Sequence, residues 1–164
     1  MKESPQIVTS IKPSPTGLRQ RSTGARIGRS IAGVGRVIYL LGTILLAGSI
    51  ALQVFFAGAG VLVDPGYWAM HRAFGETIIS LGLVLLLIGI VAWLPWRMQA
   101  LNMALVVLLP MQFVFLWTLG QALGVPALRA LHAVNALALF WLTVHLARGT
   151  GRLLRAPRRD QAIS

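Results

Sequence analysis

The chain has 164 residues, of which 56% are hydrophobic and only 12% are charged, and its formal net charge is +11. An ordinary soluble domain carries about a quarter charged residues, so this composition indicates a membrane protein. The chain contains no cysteine, which excludes disulfides, thiolate metal sites, iron–sulfur clusters and covalent attachment of c-type haem.

Both ends of the chain are polar and basic. Residues 1–23 combine three prolines with scattered Ser and Thr, which predicts a disordered basic cytoplasmic tail. Residues 24–36 place apolar side chains at helical spacing among arginines, which predicts a short basic amphipathic helix on the inner membrane surface. Residues 151–164 predict a second basic cytoplasmic tail.

Residues 37–150 form the predicted transmembrane domain. Four apolar stretches each reach the ~20 residues that span a bilayer core, at roughly 37–63, 67–94, 98–119 and 127–147. The links between them are short, so neighbouring spans must run antiparallel. The predicted fold is an all-α membrane protein, an antiparallel up-and-down bundle of four transmembrane helices. Pro110 predicts a kink in span three, and no repeat at a fixed period relates the two halves.

The basic residues predict the orientation. Thirteen of the 15 Lys and Arg residues lie on the side of the two termini, and only Arg72 and Arg129 lie on the other. By the positive-inside rule, we expect a multi-pass protein of the bacterial plasma membrane with both termini cytoplasmic. The positive charge would then contact the anionic inner leaflet rather than nucleic acid. Span one is too long for a typical cleaved signal, although the tail would also suit an organellar transit peptide.

Two histidines are the strongest candidates for a site. His71 in span two and His132 in span four each lie about one turn from the outer end of their span. Ionisable residues inside a bilayer are costly, so they usually pair, relay protons or ligate. Two imidazoles that face each other in a four-helix bundle can hold a b-type haem, with both histidines as axial ligands of the iron.

Each group of residues near the histidines can be interpreted in more than one way. Gly75, one turn below His71, leaves room for a porphyrin or for close helix packing. Arg72 and Arg129 lie at the outer interface, where they could bind haem propionates or extend to water without a ligand. A polar layer lies deeper and either fixes the bundle register, orients the imidazoles or forms a proton path; it consists of Gln53, Glu76, Gln112 and Asn135. Glu76 is expected to pair with Arg72.

These motifs resemble two groups of membrane proteins. The strings His71-Arg72-x-x-Gly75 and His132-x-x-Asn-Ala resemble a family of small four-span proteins of unknown function, common in actinobacteria and chloroflexi, over about residues 36–150. They also resemble one four-helix half of haem A synthase, which implies that His71 and His132 ligate haem. The synthase has a glutamate three residues before the span-two histidine, where this chain has Trp68, so synthase chemistry does not carry over.

The sequence favours one function and leaves a second open. The first is the binding of one haem b between spans two and four near the outer leaflet, for electron transfer or haem handling with a respiratory or assembly partner or within a homodimer. The second is a cofactor-free accessory or scaffold subunit, in which the polar layer only holds the bundle together. No catalytic residue or reaction follows, and the role of His145 stays open.

Overall fold

A computed structural model describes residues 15–156, which are almost entirely helical. Four long helices account for most of them: α1 (Pro15–Leu62), α2 (Tyr67–Val91), α3 (Trp96–Phe113) and α4 (Leu131–Arg155). The chain passes from α3 to α4 through a π-helix, one helical turn and a 3₁₀ helix, at Val114–Leu119, Gly120–Ala122 and Pro126–Ala130. The predicted all-α fold with four long helices is confirmed.

Four helical segments are long and apolar enough to cross a membrane: Ser30–Leu62, Tyr67–Val91, Trp96–Ala122 and Pro126–Arg155. Their outward faces expose large apolar side chains; Leu45, Leu83, Leu87 and Leu137 are all more than half exposed. A soluble protein rarely presents apolar surface on this scale. The chain is therefore a multi-pass integral membrane protein.

The four helices form a square bundle. α1 and α3 each pack on both α2 and α4, and within the described residues the diagonal pairs α1/α3 and α2/α4 make no close backbone contact. We call the end with the turn at 64–66 and the link at 123–125 the distal end. The opposite end, where α1 begins and α4 finishes, is the terminal end. His71 and His132 therefore lie on diagonal helices, close to the distal end.

The helix bounds differ from the predicted ones at both ends of the chain. α1 runs without interruption from Pro15 to Leu62, so its first residues overlap the predicted tail and residues 24–36 continue directly into span one. Proline suits the first turn of a helix, because its missing N–H needs no partner there. α4 likewise continues to Arg155. Residues 1–14 and 157–164 lie outside the described part of the chain.

Pro110 lies inside α3, and the helix changes from α to π geometry at Val114. Proline removes one backbone donor from the helix, so the backbone after it must adjust locally. A π-helix is one such adjustment and is often found near functional sites. The predicted irregularity in span three therefore takes the form of a π-helix beside the distal end.

The burial pattern of the first two helices repeats in the last two. Buried Leu46 and Ile50 of α1 correspond to buried Leu105 and Leu109 of α3, 59 positions later. Helices α2 and α4 correspond at 61 positions, in the buried pairs Ile78 and Leu139, Gly82 and Thr143, Leu85 and Leu146, and Gly89 and Thr150. The buried positions of the first helical hairpin thus correspond to those of the second, although the sequence has no repeat at one fixed period.

Candidate functional site

The structure brings His71 and His132 together across the bundle interior. Their ring centroids are 5.9 Å apart, and the ring planes make an angle of 65°. Both side chains are half-buried. The equal spacing of the two histidines from the distal end explains why residues from diagonal helices meet at one height.

Each imidazole is held by the main chain of the preceding helix. Nδ1 of His71 lies 3.0 Å from the carbonyl oxygen of Gln53, and Nδ1 of His132 lies 3.1 Å from the carbonyl oxygen of Gln112. A carbonyl oxygen only accepts hydrogen bonds, so in both rings Nδ1 carries the proton and donates it. In the neutral rings, Nε2 is left with a free lone pair. Metal-binding histidines usually have this arrangement.

A cavity of about 360 Å³ surrounds the histidine pair. This volume lies within the range of about 300–1,000 Å³ that is typical of ligand pockets. Its polar lining residues are His71, His132, Gln53, Gln112, Arg72 and Glu76. The rest of the lining is largely apolar and includes Phe113, Leu116 and Trp117 at the start of the π-helix. The cavity is therefore an apolar pocket with a few polar groups near its centre.

The side-chain oxygens of Gln53 and Gln112 are unusual features of this cavity. Both Oε1 atoms are buried and have no hydrogen-bond partner among residues 15–156. The two residues are 59 positions apart and therefore equivalent in the two hairpins. Each supplies its backbone carbonyl to a histidine and its carboxamide to the cavity wall.

The cavity is closed on the terminal side by an apolar plug. Its floor consists of Ile50, Ile78, Leu109 and Leu139, all of which are buried. Leu46, Leu85, Leu105 and Leu146 continue the plug toward the terminal end, each at most 1% exposed. These eight side chains, two from each helix, fill the interior.

The residue three positions before each histidine differs between the two hairpins. Trp68 packs edge-on against His71, with ring centroids 5.6 Å apart, and it lies against Gly60 of α1. The equivalent residue Arg129 lies against Gly120. Gly60 and Gly120 both provide the space that a bulky neighbour occupies. The distal mouth is therefore aromatic on one side and cationic on the other.

Most of the predicted site residues line the cavity, but two do not. Arg129 is exposed within the 3₁₀ helix, outside the cavity lining. Asn135 is buried, and its Nδ2 donates to the carbonyl oxygen of Leu108 at 2.8 Å, which ties α4 to α3. Gly75 lines the cavity beneath the Gln53 carboxamide; a Cβ on Gly75 would lie 2.7 Å from Nε2 of Gln53. Arg72 and Glu76 both lie on the cavity wall.

The sequence placed Gln53 and Gln112 in a polar layer but did not predict that their backbone carbonyls accept hydrogen bonds from the histidines. The available signal was their spacing from the histidines: Gln53 precedes His71 by 18 residues, and Gln112 precedes His132 by 20. In an antiparallel hairpin with a short link, these spacings bring each pair to one height. The contact of Trp68 with His71 was also missed, although three residues along a helix place side chains on adjacent faces.

Within residues 15–156, no cluster of three or more His, Cys, Asp or Glu side chains could hold a metal ion. A six-coordinate haem iron takes two ligands besides the four of the porphyrin, and the two histidines could supply that number.

Residues 53–119 match the profile of a family of unknown function (DUF6220). The matched segment runs from Gln53 through His71 to the end of the π-helix and covers less than half of the chain. No curated protein and no solved structure matches the chain. These comparisons do not relate it to haem A synthase, so that resemblance stays a prediction. The partial match and the four apolar helices fit an uncharacterised family of membrane proteins.

Proposed function

We propose that this membrane protein binds one b-type haem between α2 and α4, near the distal end, for electron transfer or haem handling. His71 and His132 would be the axial ligands. The observation that carries the proposal is the common arrangement of the two rings: each donates Nδ1–H to a backbone carbonyl, and together they line one cavity.

The separation of the rings fits a shared iron. A metal–imidazole bond of about 2.0–2.1 Å on each side places the coordinating nitrogens about 4 Å apart and the ring centroids about 6 Å apart. The observed centroid separation is 5.9 Å.

A haem held in this way would supply one reversible electron. Because His71 and His132 would both hold the iron, no coordination position would be left for oxygen, and the site would suit electron transfer rather than oxygen activation. The carbonyls of Gln53 and Gln112 would keep each ring oriented and its Nε2 unprotonated. The apolar plug would exclude water from below. Arg72 on the cavity wall and Arg129 at the mouth would provide charge-assisted hydrogen bonds to propionates.

The orientation forms part of the proposal. In the sequence, thirteen of the 15 basic residues precede span one, follow span four or lie in the link between spans two and three, so the terminal end would face the cytoplasm of a bacterial plasma membrane. The distal end and its cavity would face the outer leaflet. The protein would work with a respiratory or assembly partner in the same membrane, or with a second copy of the chain.

A cofactor-free scaffold is the second candidate, because polar side chains also tie the helices together. Asn102 donates to the carbonyl oxygen of Leu85 at 3.1 Å, and Asn135 donates to that of Leu108. Interhelical hydrogen bonds in membranes contribute about 0.6 kcal/mol each on average. In this alternative, the histidine–carbonyl contacts would be two more bonds of the same kind.

Absorption spectra of the purified protein separate the two candidates. The chain would be expressed with added haem, purified in mild detergent and reduced with dithionite. The haem proposal predicts a Soret band and sharp α and β bands, which are lost in His71→Ala and in His132→Ala. His145→Ala is the matched control, because His145 is an exposed histidine of α4 whose ring lies beside that of Trp141; it should keep the full spectrum. A colourless wild-type protein would favour the scaffold.

A further inference from the structure

We infer that the terminal half of the bundle binds one buried water molecule between the side chains of Tyr39, Gln99 and Asn102. None of the three lines the histidine cavity, so this site does not depend on a haem. In the part of the chain that the structure describes, Oη of Tyr39, Oε1 of Gln99 and Oδ1 of Asn102 are buried without a hydrogen-bond partner. Tyr39 and Asn102 are fully buried. Buried polar atoms are normally paired, so these three call for a ligand.

The carboxamides of Gln99 and Asn102 lie together against α2. A Cβ on Gly89 would lie 3.0 Å from Nδ2 of Asn102 and 3.2 Å from Oε1 of Gln99. Nδ2 of Asn102 also donates to the carbonyl oxygen of Leu85 at 3.1 Å. A carbonyl oxygen only accepts hydrogen bonds, so this contact fixes the orientation of the amide and leaves Oδ1 as the unpaired atom.

Tyr39 lies at the same height on α1. One turn before it, a Cβ on Gly35 would lie 3.0 Å from Cα of Ala92, and one turn after it, Gly42 lies against Leu85. Tyr39 therefore belongs to the face of α1 that packs on α2, level with the middle of the segment from Leu85 to Ala92. The glycine that both carboxamides contact lies in that segment. The three unpaired oxygens thus belong to one layer of the bundle.

The hydrogen-bonding capacity of one water molecule matches this set of atoms. The phenol of Tyr39 can donate one hydrogen bond, whereas the two carboxamide oxygens can only accept. Without a further molecule, Tyr39 could satisfy one of them at most. A water that accepts from the phenol and donates to both oxygens pairs all three atoms, and about three hydrogen bonds are typical of a buried water.

The neighbouring charges disfavour an ion at this position. Arg36 lies one turn before Tyr39, and its Nε donates to the carbonyl oxygen of Ala92 at 3.2 Å, so a guanidinium borders the layer and would repel a cation. The acidic residues between positions 15 and 156, Asp64 and Glu76, both belong to the distal half. An anion would meet the negative ends of two amide dipoles. A neutral molecule with two donors is therefore favoured.

Water-selective NMR of the ¹⁵N-labelled protein in detergent tests the site directly. The side-chain NH₂ signals of Gln99 and Asn102 are assigned by their loss in Gln99→Leu and Asn102→Leu. We expect both groups in the wild type to show cross-relaxation with water, with the sign that distinguishes a bound molecule from hydrogen exchange. Absence of this cross-relaxation at either group would overturn the inference.

Substitution of Tyr39 provides an independent test, because loss of a bonded hydroxyl destabilises a protein whereas loss of an unpaired buried hydroxyl stabilises it. We expect Tyr39→Phe to lower the thermal midpoint in detergent by about 2–4 °C. Tyr67→Phe is the matched control, because the Tyr67 ring stacks on Phe56, far from this layer; its midpoint should equal that of the wild type. An unchanged or raised midpoint in Tyr39→Phe would overturn the inference. If Tyr39→Phe does not fold, the NMR measurement on the wild type decides.

Discussion

The carbonyl oxygen of Gln53 accepts a 3.0 Å hydrogen bond from Nδ1 of His71, whereas the carboxamide of the same residue covers Gly75. One residue therefore fixes the imidazole through its main chain and shapes the cavity through its side chain. Gln112 has the same main-chain relation to His132. The proposed ligand geometry thus depends on helix register, and the side chains at positions 53 and 112 can be varied separately from it.

This separation predicts that Gln53→Leu and Gln112→Leu keep the haem spectrum. The backbone acceptors remain, and each substitution removes a buried oxygen that has no partner. An unsatisfied buried polar group costs about 1–3 kcal/mol, so the haem-free protein should become more stable by about 1 kcal/mol per substitution. Spectra and denaturant titrations in detergent would measure both quantities. Loss of the low-spin spectrum in either variant would show that the carboxamides hold the site.

Filling the cavity should exclude haem without unfolding the bundle. Gly75 and Ala136 each follow a histidine by four residues and both line the cavity. We expect Gly75→Leu and Ala136→Leu to lower haem content at least tenfold, because overpacking costs about 1–3 kcal/mol. Haem per protein is measured by the pyridine haemochrome assay, and circular dichroism checks helix content. Normal haem content in both variants would place the cofactor elsewhere.

Gly33 and Gly35, near the terminal end of α1, should respond differently to alanine. A Cβ at Gly35 would lie 3.0 Å from Cα of Ala92, whereas a Cβ at Gly33 would meet no atom within 4 Å. Gly35→Ala must displace the backbone after α2, so we expect a loss of about 1–3 kcal/mol. Gly33→Ala should be neutral or stabilising by up to about 1 kcal/mol through helix propensity. Equal unfolding free energies for the two variants would contradict this packing of α1 on α2.

The two distal arginines should contribute unequally to haem retention. Arg72 lines the cavity, whereas Arg129 lies outside the lining, against Gly120. We expect Arg72→Gln to speed haem loss to an apo-myoglobin acceptor about tenfold, which corresponds to about 1.4 kcal/mol. Arg129→Gln should change the rate less than threefold. A larger effect at Arg129 would mean that the propionates leave the cavity toward α4.

The fold was predictable because the length of an apolar run and the shortness of the links nearly determine a membrane bundle. The facing histidines were also predictable, since both spans start at the distal end and each histidine lies near that start. The direct continuation of residues 24–36 into span one was not predictable, because an amphipathic segment on the membrane surface and the start of a spanning helix have the same helical spacing of apolar residues.

The correspondence between the two hairpins could not be seen in the sequence for a physical reason. Equivalent positions are 59 apart in α1 and α3 but 61 apart in α2 and α4, because the link in the second hairpin is two residues longer. A search at one fixed period therefore finds no match. The backbone carbonyls that accept hydrogen bonds from the histidines could not be predicted for another reason. Every residue has a carbonyl, so only the packing register of the helices shows which carbonyl a histidine contacts.

Near-infrared magnetic circular dichroism of the ferric protein tests the central claim most directly, because its charge-transfer band reports both axial ligands of a low-spin haem. We expect the band of bis-imidazole ligation in the wild type and in His145→Ala, and its loss in His71→Ala and His132→Ala. A high-spin iron, a mixed ligand pair or an unchanged band in either of those two variants would contradict ligation of one iron by His71 and His132.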